Sequence, residues 1–395
     1  MEEKRLEEKI REYNDVLAQR VMWLEEIMRL TKTNDKVIAQ EKCEKKRIAI
    51  IYDVDGWAFH NIAKEIKKSL SKYYDIDIFP KSIFMHNIVR LMFLAKQYDL
   101  VHLLWRGMFS ELENDVIKEY IKSLGWDYEK FIEQFVLTAN ITTSVYDHSF
   151  LNKEAFWITE AFLKYSKAYT ISSKKLLDIY NNRDKITKKP AAEITDGVDL
   201  ERFKPKNLER FSNIANRTVK IGWVGNSKFE DSENDSDLKG VRKLIIPAIE
   251  ELKKEGYNIE RKFADRNEGY IPHDKMPDYY NSIDVYICAS KEEGTPNPVL
   301  ESMACGVPVI STDVGIVPEA FGEQQKEYIL KERTKKALKE KIIQLIERPE
   351  QWKKLSDENL KQIQEWSWAK KCEQFKEFFD KSINEFEKNK KAERD

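Results

Sequence analysis

Residues 290–310 carry the sequence SKEEGTPNPVLESMACGVPVI, and the order of residue types in this stretch indicates a loop followed by a short helix. Asn297 is a favoured N-cap residue and Pro298 suits the first helical position, so we expect the helix to begin here. Gly306 can adopt the left-handed conformation that ends a helix, and Pro308 follows closely after it. The stretch therefore predicts a helix whose N-terminus faces the loop before it.

The start of this predicted helix is suited to an anion. Free backbone N–H groups and the positive end of the helix dipole favour a bound diphosphate. Glu293 precedes the loop and Glu301 lies one turn into the helix. An ionised carboxylate only accepts hydrogen bonds, so both glutamates suit sugar hydroxyls better than phosphate. The spacing alone leaves a second interpretation open, which is a capped surface helix with two solvated glutamates.

Short apolar runs alternate with helical patterns on both sides of this stretch. The alternation indicates parallel sheets covered by helices, hence an α/β protein with two Rossmann-like domains that face a cleft. The predicted strands are Arg47–Tyr52, Tyr74–Phe79, Leu100–Trp105, Phe135–Thr138, Ile141–Tyr146 and Ala168–Ser172 in the first half, and Val219–Val224, Ile259–Phe263, Val285–Cys288 and Val307–Ile310 in the second. A polar segment at 199–216 separates the halves.

The predicted domains are an acceptor-binding unit at 46–205, a donor-binding unit at 206–365 and a C-terminal helix at 366–395 that crosses back to the first unit. Residues 1–45 show apolar positions at heptad-like spacing and indicate one long helix. Three interpretations of this arm remain open. It is a helix packed on its own domain, a coiled coil that forms a homo-oligomer, or a helix that docks a partner.

Composition excludes several classes of protein. The net charge is −1 although 35% of residues are charged, so we expect no nucleic-acid partner. Four cysteines, none in a CxxC pair, and five histidines favour neither a zinc site nor disulfides. An acidic, polar start and the lack of an apolar run of about 18 residues predict a cytoplasmic protein, or one peripheral at the inner face of a membrane.

The 290–310 stretch resembles the donor-binding signature of glycosyltransferase family 4, whose members are retaining enzymes of the GT-B fold. The family pattern is Glu, seven residues, Glu, a small-residue helix, Gly and Pro-Val. The matching residues here are Glu293, Gly294, Glu301, Met303, Ala304, Gly306, Pro308 and Val309, followed by Thr312, Gly315 and Glu319. The resemblance implies that Glu293 contacts the transferred sugar and Glu301 the nucleotide ribose.

Other segments resemble the family in the same order. The string Asp196-Gly-Val-Asp199 is similar to its inter-domain segment, and Gly222–Asn226 to the glycine turn of its second domain. Lys239-Gly240 is similar to a pair whose lysine contacts the diphosphate. The donor-binding residues that this implies are Asn226, Lys228, Lys239, Glu293, Gly294, Thr295, Pro296, Asn297, Val299, Leu300 and Glu301.

The donor half departs from the family pattern in two places. Asn226 stands where the family usually has arginine, and Lys228 is a substitute for that charge. An acidic insert at 230–237 separates this position from Lys239. The insert lacks the glycine spacing of a calcium loop, so we interpret it as a solvated loop.

The acceptor half departs from the pattern at Tyr146, which occupies the usual place of a histidine. His148 lies two residues further on. His148 is either close to the reacting atoms or a structural loop histidine, and both interpretations stay open. The candidate acceptor-side residues are Gly56, Trp57, His60, Tyr146 and Asp147, and the candidate catalytic residues are Glu293, His148 and Lys239.

The resemblance implies transfer of a sugar, with retention, from a nucleoside diphosphate sugar to a glycan, lipid-linked or protein acceptor, with UDP the favoured nucleotide and surface polysaccharide the favoured pathway. No metal or other cofactor is expected, because the helix start and Lys239 supply the positive charge. Three rivals remain: a sugar-nucleotide epimerase on the same fold, a glycoside hydrolase that uses Glu293 and Glu301, and an inactive scaffold that acts through residues 1–45.

Overall fold

The computed structural model describes residues 45–84, 87–228 and 237–392. The N-terminal arm predicted at 1–45 and the acidic insert predicted at 230–237 lie outside the described residues, apart from the last position of each.

In the described ranges, the first half of the chain contains a six-stranded sheet in which all neighbouring strands are parallel. Its strands are β1 (Arg47–Tyr52), β2 (Asp75–Pro80), β3 (Leu100–Leu103), β4 (Ile141–Val145), β5 (Tyr169–Ile171) and β6 (Ala192–Glu193). Their order across the sheet is β2-β1-β3-β4-β5-β6. The central strands β3, β4 and β5 are buried at every position, as expected for a parallel sheet covered by helices.

Helices cover both faces of this sheet, and several begin at a side chain that caps the helix. The α-helices are α1 (Ala58–Leu70), α2 (Ile88–Ala95), α3 (Asp115–Ser123), α4 (Tyr128–Phe131), α5 (Phe156–Tyr165) and α6 (Lys174–Asn181). Asn87, Asn114 and Ser173 each accept a hydrogen bond from a backbone N–H in the first turn of the helix that follows. A 3-10 helix, Arg106–Glu113, follows β3.

The strand predicted at Phe135–Thr138 is wrong, because the chain is helical there. A π-helix, Ile132–Val136, continues α4 without a break. Phe131 and Phe135 lie one helical turn apart with their ring centroids 5.1 Å from each other, and Trp126 packs edge-on against Phe135. The apolar residues therefore follow a helical period that a four-residue window does not reveal.

The second half of the chain contains a parallel sheet of five strands within the described residues. Its strands are β7 (Val219–Gly225), β8 (Ile259–Asp265), β9 (Val285–Cys288), β10 (Val309–Thr312) and β11 (Ile329–Leu330), in the order β11-β10-β9-β7-β8. The helices are α7 (Ile246–Lys254), α8 (Met276–Tyr280), α9 (Asn297–Ala304), α10 (Val317–Ala320), α11 (Glu323–Lys326), α12 (Lys335–Ile346) and α13 (Pro349–Gln362). The α/β fold with two Rossmann-like domains is confirmed.

The chain crosses between the domains twice, and the two crossings run side by side. Val198 forms a parallel bridge with Ser367, so the first crossing is hydrogen-bonded to the second. A Cβ on Gly197 would lie 2.8 Å from the Cα of Trp368, which leaves room only for glycine. The crossings are therefore packed backbone against backbone.

The last helix, α14 (Trp368–Ala392), packs on the sheet of the first domain. Phe375, Phe378 and Phe379 are buried, and each ring lies edge-on to His102 on β3. The chain thus returns to the N-terminal domain after the second sheet is complete. In the part of the chain that the structure describes, no helix has the length and apolar character needed to span a bilayer.

Candidate active site

A cavity of about 670 Å³ lies between the two domains. On the N-terminal side it is lined by Gly56 and Trp57, which follow β1. On the C-terminal side it is lined by Asn226, which follows β7, and by Arg266, which follows β8. The carboxyl ends of strands from both sheets therefore meet at this cavity, which is where open parallel sheets bind ligands.

The 289–296 loop connects β9 to α9 and presses against the N-terminal domain. A Cβ built on Gly294 would lie 1.9 Å from the carbonyl oxygen of Tyr146 and 2.5 Å from the Ser172 hydroxyl. The hydroxyl of Thr295 donates to the carbonyl oxygen of Ser172 and accepts from the N–H of Asp196, both at 3.3 Å. Glycine at 294 is therefore required for the two domains to approach this closely.

Asn297 does not cap α9, so the N-cap prediction is wrong. The helix begins at Asn297 itself, with Pro296 before it and Pro298 in the first turn. The side-chain amide of Asn297 donates to the carboxylate of Asp196 at 3.1 Å, across the domain boundary. The interdomain carboxylate offers Asn297 a partner outside its own helix. The helix ends as predicted, with Gly306 at φ 71°.

Lys239 and Glu293 form an ion pair at the edge of the cavity. The Lys239 Nζ lies 2.5 Å from the Oε1 of Glu293, and both side chains are largely buried, at 28% and 19% exposure. Gly240, at φ 71°, allows this approach, because a Cβ there would lie 2.5 Å from the carbonyl oxygen of Ala289. Two residues 54 positions apart are thereby brought to the start of α9.

Glu301 lines the same cavity and is held by side chains of the C-terminal domain. The hydroxyl of Tyr280 donates to its Oε2 at 2.6 Å, and His273 Nε2 lies 3.3 Å from its Oε1. Only 14% of the Glu301 side chain is exposed. The carboxylate is thus fixed in orientation at the wall of the cavity.

Asp147 and His148 lie on a turn that a buried arginine organises. Arg106 is 2% exposed, and its guanidinium donates to the Asp147 carboxylate at 2.7 Å and to the carbonyl oxygen of Ser149 at 2.6 Å. Burial opposes the ionisation of Asp147, but the Arg106 charge holds its pKa below the usual value. Phe150 completes the turn with a left-handed φ of 67°. Asp147 therefore serves the structure of this turn.

His148 is half-buried and lies close to the 289–296 loop. Burial lowers its pKa, while the charges of Glu292, Asp147 and, more weakly, Glu293 act in the opposite direction. Within the described residues, its Nδ1 is buried and has no hydrogen-bond partner. His148 is not part of the cavity lining, and because its Nδ1 is buried a ligand could reach that atom only if the turn moved.

Two other acceptor-side candidates, Tyr146 and His60, do not line the cavity, and their role on the acceptor side stays a prediction. Tyr146 is buried with its ring 5.1 Å from that of Phe59, and burial raises the pKa of its hydroxyl well above the ordinary value. His60 stacks on Tyr52 at 4.4 Å and accepts a hydrogen bond from the N–H of Gly56. Both rings are therefore engaged within the N-terminal domain.

The predicted donor residues divide into two groups. Asn226, Lys239, Asn297 and Glu301 line the cavity, and Glu293 reaches it through its pairing with Lys239. The side chains outside the lining are Lys228, Thr295, Pro296, Val299 and Leu300, together with Gly294. Val299 and Leu300 are fully buried in the core of the domain, so their side chains cannot meet a ligand.

Sequence reasoning missed several residues that line the cavity. Arg266 and Tyr270 lie on the loop after β8, and the Arg266 guanidinium lies 5.2 Å from the ring of Trp57 in the opposite domain. Arg202 and His273 also line the cavity and contact each other. The rule that ligands bind beyond the carboxyl ends of strands would have drawn attention to the loop after β8.

Comparison with solved structures defines the class of fold. The chain is similar to Anabaena Alr3699/HepE, solved in complex with UDP-glucose, with a TM-score of 0.58 and 12% identity over 85% of this chain and 100% of that one. It is also similar to the sucrose-phosphate synthase of Thermosynechococcus elongatus, with a TM-score of 0.58 and 14% identity over 85% and 99% of the two chains. The fold is that of the GT-B glycosyltransferases.

Comparison of sequences matches the second domain to a family of glycosyltransferases. Residues 250–362 match the family described as Glycosyl transferases group 1, and the chain carries a domain of this group. It is 31% identical over 161 residues to the Bacillus subtilis (strain 168) protein named "Putative teichuronic acid biosynthesis glycosyltransferase TuaC", a match that covers 37% of this chain and 39% of the relative.

A second curated relative is the capsular polysaccharide biosynthesis glycosyltransferase CapM of Staphylococcus aureus. The two chains are 24% identical over 175 residues, which is 38% of this chain and 44% of the relative. The chain therefore spans less than half the length of these two relatives.

Proposed function

We propose that this protein is a glycosyltransferase that moves a sugar from a nucleoside diphosphate sugar to a hydroxyl of an acceptor. The observation that carries the proposal is that Lys239 and Glu301 line one interdomain cavity, with Glu293, on the loop before α9, paired to Lys239. These are the groups that a diphosphate, a sugar and a ribose each require.

The C-terminal domain holds the donor in this proposal. The Lys239 ammonium and the positive end of the α9 helix dipole stabilise the negative charge that builds on the diphosphate as the sugar leaves. Glu293 accepts hydrogen bonds from the sugar, and Glu301 accepts them from the ribose. Because this positive charge comes from the protein, we also propose that the reaction needs no metal ion.

The N-terminal domain presents the acceptor from the opposite wall. Trp57 is 48% exposed and lines the cavity, so its ring offers an apolar face to a sugar. His148 feels the charges of Glu292 and Glu293 on the 289–296 loop, so we keep it as the candidate catalytic histidine of this domain.

We propose retention at the anomeric carbon and membership of glycosyltransferase family 4, on the strength of the 290–310 signature. Front-face transfer, which the resemblance to this family implies, is part of the same proposal.

The names of the relatives suggest the class of acceptor. Teichuronic acid and capsular polysaccharide are surface glycans of bacteria, so we propose a glycan or lipid-linked acceptor in polysaccharide synthesis. The UDP-glucose in the Anabaena structure supports UDP-sugars as the first donors to test. A cytoplasmic protein, peripheral at the inner face of the membrane, would meet both substrates.

The site disfavours the rivals. A hydrolase that used Glu293 and Glu301 as its acid and base would release free sugar, whereas Lys239 beside Glu293 supplies the positive charge that a departing diphosphate requires. An inactive scaffold would have no reason to hold the two carboxylates in this arrangement. An epimerase would use the same donor site, and only its products distinguish it.

The test is turnover of labelled UDP-, GDP- and ADP-sugars by wild type, Glu293→Gln and Glu292→Gln. The neighbouring Glu292 is exposed and serves as the matched control. We expect Glu293→Gln to lower kcat/KM for transfer by about 100-fold and Glu292→Gln to change it by less than about threefold. Equal turnover by Glu293→Gln and wild type, or free sugar or an epimerised donor as the main product, would contradict the proposal.

A further inference from the structure

Glu301 is oriented by two protein donors, one on each carboxylate oxygen. Tyr280 donates its hydroxyl hydrogen to Oε2 at 2.6 Å, and the Nε2 of His273 lies 3.3 Å from Oε1. Rotation of the carboxylate would break both contacts. The plane of the group is therefore set by side chains that the 290–310 signature does not include.

Arg202 determines which nitrogen of His273 carries the hydrogen. Its Nη1 lies 2.9 Å from the Nδ1 of His273. A guanidinium only donates, so Nδ1 is the acceptor and the hydrogen of the neutral ring lies on Nε2, which faces Glu301. Arg202 therefore donates a hydrogen bond to His273, and His273 in turn donates one to Glu301.

A carboxylate held in this way offers a paired acceptor to the cavity. Each oxygen can accept about two hydrogen bonds, and the protein uses one on each. Each carboxylate oxygen therefore keeps an acceptor position, and the two hydroxyls of a vicinal diol can fill one each. Glu301, His273 and Arg202 all line the cavity, so this pair of acceptors is exposed to a ligand.

We propose that Arg202, His273 and Tyr280 are positioning residues that orient Glu301 toward both hydroxyls of a ribose, and so select ribonucleotides over 2′-deoxyribonucleotides. The inference rests on the proposed function, because it takes the cavity to be a nucleotide-sugar site. It adds the residues that give Glu301 its orientation.

Contacts across the domain boundary hold Arg202 in place. Its backbone N–H donates to the carboxylate of Asp199 at 3.1 Å, and the other oxygen of that carboxylate lies 3.3 Å from the Nζ of Lys68 on α1. Arg202 thus follows directly on the first crossing between the domains. Asp199 thus connects the backbone of Arg202 to Lys68 of the N-terminal domain, while Tyr280 and His273 hold Glu301 from within the C-terminal domain.

The experiment measures equilibrium binding of UDP, GDP and ADP, and of their 2′-deoxy forms, to the full chain by calorimetry. We expect wild type to bind one ribonucleotide at least about tenfold more tightly than its 2′-deoxy form, because a hydrogen bond to a charged group is lost. In His273→Phe, which keeps the ring packing on Phe203, the ratio should fall below about threefold. His273→Gln places an amide donor near the position of Nε2 and should restore most of the ratio.

Tyr280→Phe and Tyr279→Phe form a matched pair for the second donor. Both tyrosines are buried on α8, but the Tyr279 hydroxyl bonds to backbone atoms of β7 and β8, whereas the Tyr280 hydroxyl bonds to Glu301. We expect the ratio to fall only in Tyr280→Phe.

The outcomes separate the two proposals. If wild type binds none of the nucleotides, the proposed function fails. If it binds them with no preference for ribose, or if His273→Phe and Tyr280→Phe keep the wild-type ratio, the role of the positioning residues is overturned while the donor site stands.

Discussion

At the scale of single residues, the pairing of Lys239 with Glu293 explains how a charged site is stable before a ligand arrives. An uncompensated charge in a half-buried position is costly, and each of these residues compensates the other. A diphosphate would compete with Glu293 for the ammonium and release the carboxylate toward the sugar. One ion pair thus prepares both the phosphate contact and the sugar contact.

Arg106 is the residue whose loss should destabilise the acceptor side most. Its guanidinium is buried and satisfies Asp147 and the Ser149 carbonyl oxygen. We expect Arg106→Ala to lower the free energy of unfolding by about 2–4 kcal/mol, measured by urea denaturation. Lys336→Ala, which breaks an exposed ion pair with Glu340 on α12, should cost less than about 0.5 kcal/mol. Equal losses in the two variants would show that Arg106 does not hold the turn.

At the scale of elements, the first crossing and the start of α9 meet at a buried carboxyl group. Asp196 accepts from Asn297, and in the described part of the chain its Oδ1 has no partner. Burial raises the pKa of Asp196 to about 7, although Asn297 and Lys371 oppose the shift. Tyr146 also faces this group. The contact between crossing and helix therefore involves a carboxyl that is costly to ionise.

The free energy of unfolding depends on pH because the pKa of Asp196 differs between the folded and the unfolded chain. The pKa of Asp196 is raised on folding from an ordinary value of about 4, so its contribution to stability is present below pH 4 and is lost as the pH rises to 7. Asp196→Asn removes this loss. We expect the variant to match wild type near pH 4 and to exceed it by about 2–4 kcal/mol at pH 8. Unfolding curves with the same pH slope in both proteins would argue against a buried, protonated Asp196.

The 289–296 loop should tolerate no side chain at Gly294. The backbone of Tyr146 would lie 1.9 Å from a new Cβ, so Gly294→Ala must move the domains apart. We expect at least a tenfold fall in kcat/KM for transfer. Gly256→Ala is the control, because it places alanine at a φ of 94° in open space far from the cavity. It should cost about 1 kcal/mol of stability and leave turnover unchanged. A Gly294→Ala variant as active as this control would contradict the tight contact.

The alternation of strands and helices could be predicted because short apolar, β-branched runs favour buried strands in any part of the chain, and helical patterns lie between them. The two errors have different causes. At Phe135–Thr138 the helical period was present in the sequence, but a four-residue window was too short to show it. At Asn297 the partner is Asp196, 101 positions away, and no local spacing encodes such a partner.

At the scale of the whole molecule, the site exists only because two domains face each other. Signature residues such as Glu293 and Glu301 could be found from the sequence because they lie on one loop and helix. Arg266 and Trp57, in contrast, are more than 200 positions apart, and only the docking of the domains brings them within 5.2 Å. Gly56 and Trp57 could be named from the sequence and do line the cavity, but their position opposite the loop after β8 depends on the docking of the domains, which local patterns do not show.

The most direct measurement of the central claim is a crystal structure of the full chain with the nucleoside diphosphate that raises its Tm most. The account predicts the diphosphate at the start of α9, within about 3 Å of the Lys239 Nζ, and the ribose hydroxyls on the carboxylate of Glu301. A nucleotide bound elsewhere, or one that leaves the pair of Lys239 and Glu293 intact, would contradict it.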